Sequence, residues 1–257
     1  MSYQYLKVTM KAGTGWLEYN RPPINAFNFE MLREVRAALD ALIDDRACRV
    51  IVIASAVKGQ FSAGADIKVF DGIGADGMRE MVGFTHDIVR VMRASPKPLL
   101  AAIEGAAVGG GFELTLHCDL RFAASDIRIG SPEVNLNFVP PIAGTQGLAR
   151  LMGRSRALDY LYRGEMLTAE AAAQAGLVDF VHPAGSVRLA VTAYAEDLAG
   201  KPPEALAAIR ACVVGGGALD FEAGMEVELG QVVALAGTKN FDEGVRAFLD
   251  RRRPKWT

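Results

Sequence analysis

Three consecutive glycines, Gly109-Gly110-Gly111, run into Phe112 and Glu113, and a second glutamate, Glu133, stands twenty residues further on behind Ser131-Pro132. Glycine has no Cβ, so such a run lets the backbone approach another group closely. It also opens a stretch that reads as a helix, whose first N–H groups have no intrahelical acceptor and favour negative charge. Glu113 falls one turn into that helix, and Glu133 follows the break at Pro132. Donors beside two carboxylates make a site able to stabilise an oxyanion while protons move. Taken singly, the parts have plainer uses: tight helix packing for the glycines, an i,i+4 or capping role for Glu113, and a helix-start carboxylate for Glu133.

A second glycine-rich element, Lys58-Gly59-Gln60-Phe61-Ser62-Ala63-Gly64-Ala65-Asp66, precedes it. Alone it reads as an ordinary strand-to-helix turn. Both elements follow buried strands, and both can present free N–H groups at strand ends, where α/β proteins build sites. Donors from Ala65 and Gly110 would together make an oxyanion hole, in which each typically contributes about 2.7–4 kcal/mol to the transition state.

Other chemistries fit poorly. The three histidines, His86, His117 and His182, lack metal-ligand spacing, and no G-x-S-x-G elbow is present. Gly59 and Gly64 have P-loop spacing, but Ala65-Asp66 stand where Lys and Ser/Thr are required. Leu114 occupies the last position of a would-be G-x-G-x-x-G. A metal, nucleotide or histidine-triad site is therefore not expected.

The elements that must carry these residues alternate. Residues 5–10 and 16–19 read as strands of a hairpin; Asn28 caps a helix whose apolar positions are Met31, Leu32, Val35, Leu39 and Leu42. Residues 49–54 form a β-branched buried strand, followed by a helix over 79–93, a buried strand over 98–104, the triple-glycine helix and a strand over 120–124. This alternation predicts an α/β fold. Residues 145–152, 155–162 and 169–175 read as short helices with a strand over 177–182, and almost everything from 187 to 249 reads as helical. A boundary near residue 195 would separate a core, 1–195, from a helical appendage, 196–257.

A chain of 257 residues, 51% hydrophobic, can bury a large core, and a net charge of −2 offers no general attraction to nucleic acid or anionic membrane. The densest basic run, Arg251-Arg252-Arg253-Pro254-Lys255, reads as a solvated helix end. Cys48, Cys118 and Cys212 are widely spaced and odd in number, which suits buried thiols in a reducing compartment. No signal peptide and no apolar run of membrane-spanning length is visible, so the expectation is a cytoplasmic protein with no membrane or nucleic-acid partner.

With these residues in view, the chain resembles the enoyl-CoA hydratase/isomerase (crotonase) superfamily. The resemblance rests on Phe61-Ser62-Ala63-Gly64-Ala65-Asp66-Ile67-Lys68, on the run from Ile103 through the triple glycine to Leu114, on Cys118-Asp119, and on Ser131-Pro132-Glu133-Val134-Asn135-Leu136. Asn20-Arg21-Pro22-Pro23-Ile24-Asn25-Ala26 near the start and Glu243-Gly244-Val245-Arg246-Ala247-Phe248-Leu249 near the end extend it over essentially the whole length. It implies an α/β spiral of ββα repeats with a C-terminal helical trimerisation region, assembled as a trimer or a dimer of trimers. It further implies an acyl-CoA thioester substrate, with coenzyme A arriving as part of it and no separate cofactor or metal. The thioester oxygen would accept from Ala65 and Gly110, Glu113 would help activate a water, and Glu133 would exchange the proton at C2. Ala63, Asp66, Ile67, Lys68, Gly109, Pro140 and Pro141 complete the implied substrate-binding set, with Lys68 near the phosphates. Residues 72–77 read as a loop beside the acyl pocket, with Phe70, Met78, Met81 and Phe84 as candidate lining.

The implied reaction is that of a hydro-lyase in fatty-acid β-oxidation, syn addition of water to a 2-enoyl-CoA. One departure tempers it. Family hydratases carry P-G-x-G-G-T-Q after the second glutamate, and the first glycine of that run offers its N–H to the water. This chain has Pro140-Pro141-Ile142-Ala143-Gly144-Thr145-Gln146, and Pro141 has no N–H. Double-bond isomerisation or hydration of a ring substrate is the closest alternative, and a non-catalytic acyl-CoA- or RNA-binding member a more distant one.

Overall fold

Ala12 and Gly13 both adopt positive φ, 49° and 78°, as a two-residue hairpin turn requires. They join strand β1 (Leu6–Lys11) to β2 (Thr14–Tyr19) in antiparallel register. The computed structural model describes residues 2–257. Helix α1 (Phe29–Asp44) follows, its N-terminus capped by Asn28, whose side chain accepts from the Met31 amide at 2.9 Å. Its buried stripe, Met31, Leu32, Val35, Leu39 and Leu42, is the one the 3.6-residue period predicts.

Two sheets are then built in alternation. Strands β3 (Val50–Ser55), β5 (Leu99–Ile103), β7 (Leu120–Ala124) and β10 (Phe180–His182) extend the hairpin into a six-stranded sheet of order β1-β2-β3-β5-β7-β10, parallel from β2 onward. The short strands β4 (Gln60–Ser62), β6 (Ala106–Val108), β8 (Arg128–Gly130) and β9 (Met166–Thr168) form a second sheet in that order. Strands β3, β5 and β7 are each followed by a short strand of the other sheet, β4, β6 and β8, so the chain spirals. The apolar runs that read as continuous, such as Val50 to Ala54 and Leu99 to Ile103, are buried on both faces. Tyr19 fills the space between the layers, edge-on to Phe27 at 5.2 Å and to Phe61 at 5.4 Å.

The remaining helices are α2 (Gly74–Ala94), α3 (Gly110–Thr115), α4 (Gly144–Met152), α5 (Arg154–Arg163), α6 (Ala169–Gln174), α7 (Val187–Ala199), α8 (Pro203–Arg210), α9 (Phe221–Ala236) and α10 (Lys239–Leu249). Two expectations need correction. Helix α2 begins at Gly74, so the expected loop over 72–77 is largely its first turn. The strand expected over 177–182 is confined to Phe180–His182, because Leu177 and Val178 are buried in the turn leaving α6. The short strands of the second sheet were not anticipated, since three residues carry too little pattern to register. Residue 195 lies within α7, where Ala195 packs into the core.

Beyond that helix, Arg210 ties α8 back to the core through Asp119 and the carbonyls of Met92, Arg93 and Ser95. None of α9 is buried, and Phe221, Leu229, Val232 and Val233 are exposed on it, as Phe248 is on α10. The basic C-terminal run is not simply solvated: Arg252 forms a two-pronged ion pair with Glu243. No described helix is long and apolar enough to cross a membrane.

Candidate active site

The two glycine turns meet. A Cβ on Gly64, where φ is +84°, would lie 2.8 Å from the Val108 carbonyl and 3.1 Å from the Gly110 nitrogen, so this contact requires glycine. A Cβ on Gly111 would strike the Ser62 side chain. The first turn is braced by residues whose part in it the sequence reading missed. Asn25 donates to the Phe61 carbonyl (3.0 Å) and to Ser55 Oγ (2.8 Å). Ser62 Oγ donates to the Asn25 carbonyl at 2.7 Å and accepts from the Gly64 amide at 3.1 Å. Arg21 closes the segment with an ion pair to Asp66 at 3.0 Å and a bond to the Ala26 carbonyl.

These contacts aim the backbone. Phe27 donates to the Gly64 carbonyl and accepts from the Asp66 amide, forming a parallel bridge opposite Ala65. In such a bridge the N–H of Ala65 itself points away from Phe27, and Ala65 lines the adjoining cavity. Gly110 is the first residue of α3, so its N–H has no partner one turn back, and Gly110 lines the same cavity.

That cavity has a volume of about 110 Å³. Ala63, Ala65, Ile67, Gly109, Gly110, Glu133 and Pro141 border it, and Phe70, Met78 and Met81 form its apolar end. Leu32, Val82, Thr85, Phe138 and Ile142 also line it and were not foreseen. Phe84 does not: its ring packs against Phe29 at 5.3 Å, on the face of α2 turned to α1. Of the expected substrate-binding residues, Asp66 is held by Arg21, Lys68 is exposed on the 3₁₀ turn Ile67–Phe70, and Pro140 borders a neighbouring groove.

Glu113 and Glu133 are both buried. Glu133 begins the 3₁₀ turn Glu133–Leu136 and stands in the cavity wall; a Cβ on Gly109 would come within 2.9 Å of its Oε1. Glu113 lies deeper. Its Oε2 accepts from the amides of Ile142 at 2.7 Å and Gly144 at 2.9 Å. Glu113 Oε1 and Glu133 Oε2 accept from no described residue. Burial pushes the Glu113 carboxyl well above the usual carboxylate range, the nearby Glu133 charge adds to this, and the two amides partly offset it. Burial likewise raises Glu133. Such a pair holds a proton readily and can pass it on, with one oxygen of each carboxylate free to do so.

The segment 140–144 is the part the sequence left least legible. Ala143 takes positive φ, 53°, and Gly144 admits no side chain, since a Cβ there would lie 2.5 Å from Glu113 Oε2. Ile142 is buried with its Cδ1 2.8 Å from where a Cβ on Gly110 would sit, so it walls the site beside that amide. Pro141 borders the cavity without a donor. His117 is buried, and burial lowers its pKa to about 4, so the ring is neutral; its Nε2 lies 2.9 Å from the Ile142 carbonyl. Cys118 is buried with its thiol pushed up to about 12 by desolvation, which leaves no reactive thiolate near neutral pH.

The sequence profile of the enoyl-CoA hydratase/isomerase family matches residues 9–257. A probable enoyl-CoA hydratase of Bacillus subtilis is 33% identical over 243 residues, covering 93% of each chain. A crotonyl-CoA hydratase of Syntrophomonas wolfei is 33% identical over 254 residues, covering 98% of each. The crystal structure of an enoyl-CoA hydratase from Geobacillus kaustophilus superposes with a TM-score of 0.97 at 33% identity, over 100% of this chain and 98% of that one. With the spiral of paired strands and the two apposed glycine turns, this match along almost the whole length places the chain in the enoyl-CoA hydratase/isomerase family, with the crotonase fold.

Proposed function

We propose that the protein is an enoyl-CoA hydratase, a hydro-lyase adding water to a 2-enoyl-CoA to give a 3-hydroxyacyl-CoA. The observation that carries the reading is the pair of buried carboxylate oxygens with no described partner, Glu113 Oε1 and Glu133 Oε2, the latter in the wall of a cavity that Ala65 and Gly110 also line. A thioester oxygen set between the Ala65 and Gly110 amides gains most as it becomes an enolate, because the dipoles are already aimed when the charge appears. The pair enters the reaction holding one proton between them. With that proton on Glu133, Glu113 takes a proton from water as the water oxygen bonds to C3, and Glu133 delivers its proton to C2. Burial and the Glu133 charge both favour the proton on Glu113, so its transfer to Glu133 precedes the step. One molecule of water is added, and the pair again holds one proton, now on Glu113, which redistributes before the next turnover. Each step of such acid–base help is worth about 10²–10⁴ in rate.

The rest of the assignment follows the same logic. Phe70, Met78 and Met81 suit an acyl chain, and Lys68, exposed beyond Ile67, suits the coenzyme A phosphates. No resident cofactor or metal is required by this mechanism. The helical region after residue 195, chiefly α9 and α10, is proposed to join three copies, singly or as a dimer of trimers; its run of exposed apolar side chains supports that. Three free cysteines suit a reducing compartment such as the cytoplasm, and the substrate class suits fatty-acid β-oxidation.

Pro141 supports a second reading, isomerisation of a 3-enoyl-CoA, because it removes the N–H that would help hold a water, while proton shuttling needs only a carboxylate. Incubating the protein with 2-enoyl- and 3-enoyl-CoA thioesters in ¹⁸O-water separates the two. Solvent oxygen in the product, read by mass spectrometry, supports hydration; a shifted double bond without it supports isomerisation.

A further inference from the structure

The segment 140–144 holds Glu113, yet its own side chains, Pro-Pro-Ile-Ala-Gly, can make no hydrogen bond. Its orientation is set from outside, through two consecutive carbonyls. His86 Nε2 lies 2.9 Å from the Pro141 carbonyl and His117 Nε2 2.9 Å from that of Ile142. A carbonyl oxygen only accepts, so each ring carries a proton on Nε2 and donates it.

The first of these bonds reaches Glu113 by a single rigid unit. The Pro141 carbonyl and the Ile142 amide belong to the same peptide plane, and in a trans peptide they point in opposite directions. One end of the plane accepts from His86; the other end donates to Glu113 Oε2 at 2.7 Å. Fixing the carbonyl therefore fixes the aim of the amide, and a hydrogen bond at one end of a peptide strengthens the donor at the other. Neither proline has an N–H with which to anchor the segment. His86 is half-buried on α2, the helix that supplies Met78, Met81 and Val82 to the cavity wall. It thus links the acyl wall to the carboxylate.

We propose that His86 is a positioning residue for Glu113: its Nε2–H sets the Pro141–Ile142 peptide plane, which holds Oε2 and leaves Oε1 turned to the reacting water. The proposal rests on the hydratase reading for its kinetic consequence and on geometry alone for its structural one. In the full-length protein, His86→Leu removes the donor at similar size, and His86→Gln retains an N–H donor at comparable reach. The Leu variant is expected to lose about tenfold in kcat, the worth of one hydrogen bond, with KM moved by less than about twofold. The Gln variant is expected to recover most of that loss. Amide exchange across residues 140–148 should be about tenfold faster in His86→Leu and near wild type in His86→Gln. Unchanged kcat in the Leu variant, equal impairment in both variants, or unchanged exchange overturns the proposal. Should the wild-type protein fail to hydrate any 2-enoyl-CoA, the functional reading falls, and the exchange measurement still decides the positioning.

Discussion

The backbone amide of Ile142 donates to Glu113 Oε2 at 2.7 Å, so the buried carboxylate is held by the residue that follows a donorless proline. With the Gly144 amide it occupies one oxygen and leaves the other open. The chemistry assigned to Glu113 depends on that asymmetry.

Replacing either carboxylate tests the division of labour. Glu113→Gln and Glu133→Gln are each expected to lower kcat for 2-enoyl-CoA hydration by about 10²–10⁴ with little change in acyl-CoA binding. Loss of enoyl-thioester absorbance gives the rate, and calorimetric titration the affinity. Wild-type turnover by either variant would remove that residue from the mechanism.

Gly64→Ala addresses the turn that carries Ala65. Positive φ and a Val108 carbonyl 2.8 Å from the new methyl force the backbone to shift. The displaced Ala65 amide is expected to cost about 10²–10³ in kcat, as loss of one oxyanion donor does. A variant that folds, by its circular dichroism, and keeps full activity would separate Ala65 from the oxyanion.

Pro141→Gly adds an N–H at the cavity edge and loosens the chain. Hydration is expected to rise by a factor of up to about ten, one charge-assisted hydrogen bond's worth, while stability falls by about 1 kcal/mol from unfolded-chain entropy. Steady-state kinetics and thermal melts read the two effects. A slower enzyme would mean that the proline's fixed φ, not the missing donor, governs the loop.

The titration of the acids has a definite sign. Both carboxyls have folded-state pKa values raised above the ordinary 4.5, so their protonated forms favour the fold. That contribution is complete below the unfolded value near 4.5 and is lost as pH rises through the folded values. Glu113→Gln should therefore raise the Tm at pH 8 relative to wild type, and the gain should vanish near pH 4. A gain that grew toward acid would contradict the burial argument.

Phe248→Asp probes assembly. Phe248 is 84% exposed on α10 in a single chain, and a charge there would be costly if another copy covers it. Light scattering should show a multiple of 27.5 kDa for the wild type and a shift toward 27.5 kDa for the variant. An unchanged mass would exclude that face from the contact.

Much of this protein is legible in its sequence because the signals are local. The period of α1, the Asn28 cap and the buried strands at 50–55 and 99–103 are each written within a few residues. Gly64, Gly109, Gly110 and Glu133, which stand out in the sequence by residue type alone, are brought by the structure to one cavity. The short strands of the second sheet, by contrast, exist only because longer strands bring their ends together.

What tertiary structure alone decided is which atoms face which. That Gly64 must be glycine follows from the Val108 carbonyl 44 positions away, and that Gly144 must be follows from Glu113 Oε2. Nothing in the sequence tells what Asn25, Arg21 and His86 bond to, since their partners, Phe61, Asp66 and Pro141, lie 36, 45 and 55 residues distant. Hydrogen bonds are short and directional, so a chain's own order cannot reveal a donor and acceptor that meet only when two layers close over one another. Sequence determined the parts of a carboxylate-and-amide site; the fold decided that one oxygen of Glu113 is held and the other left open.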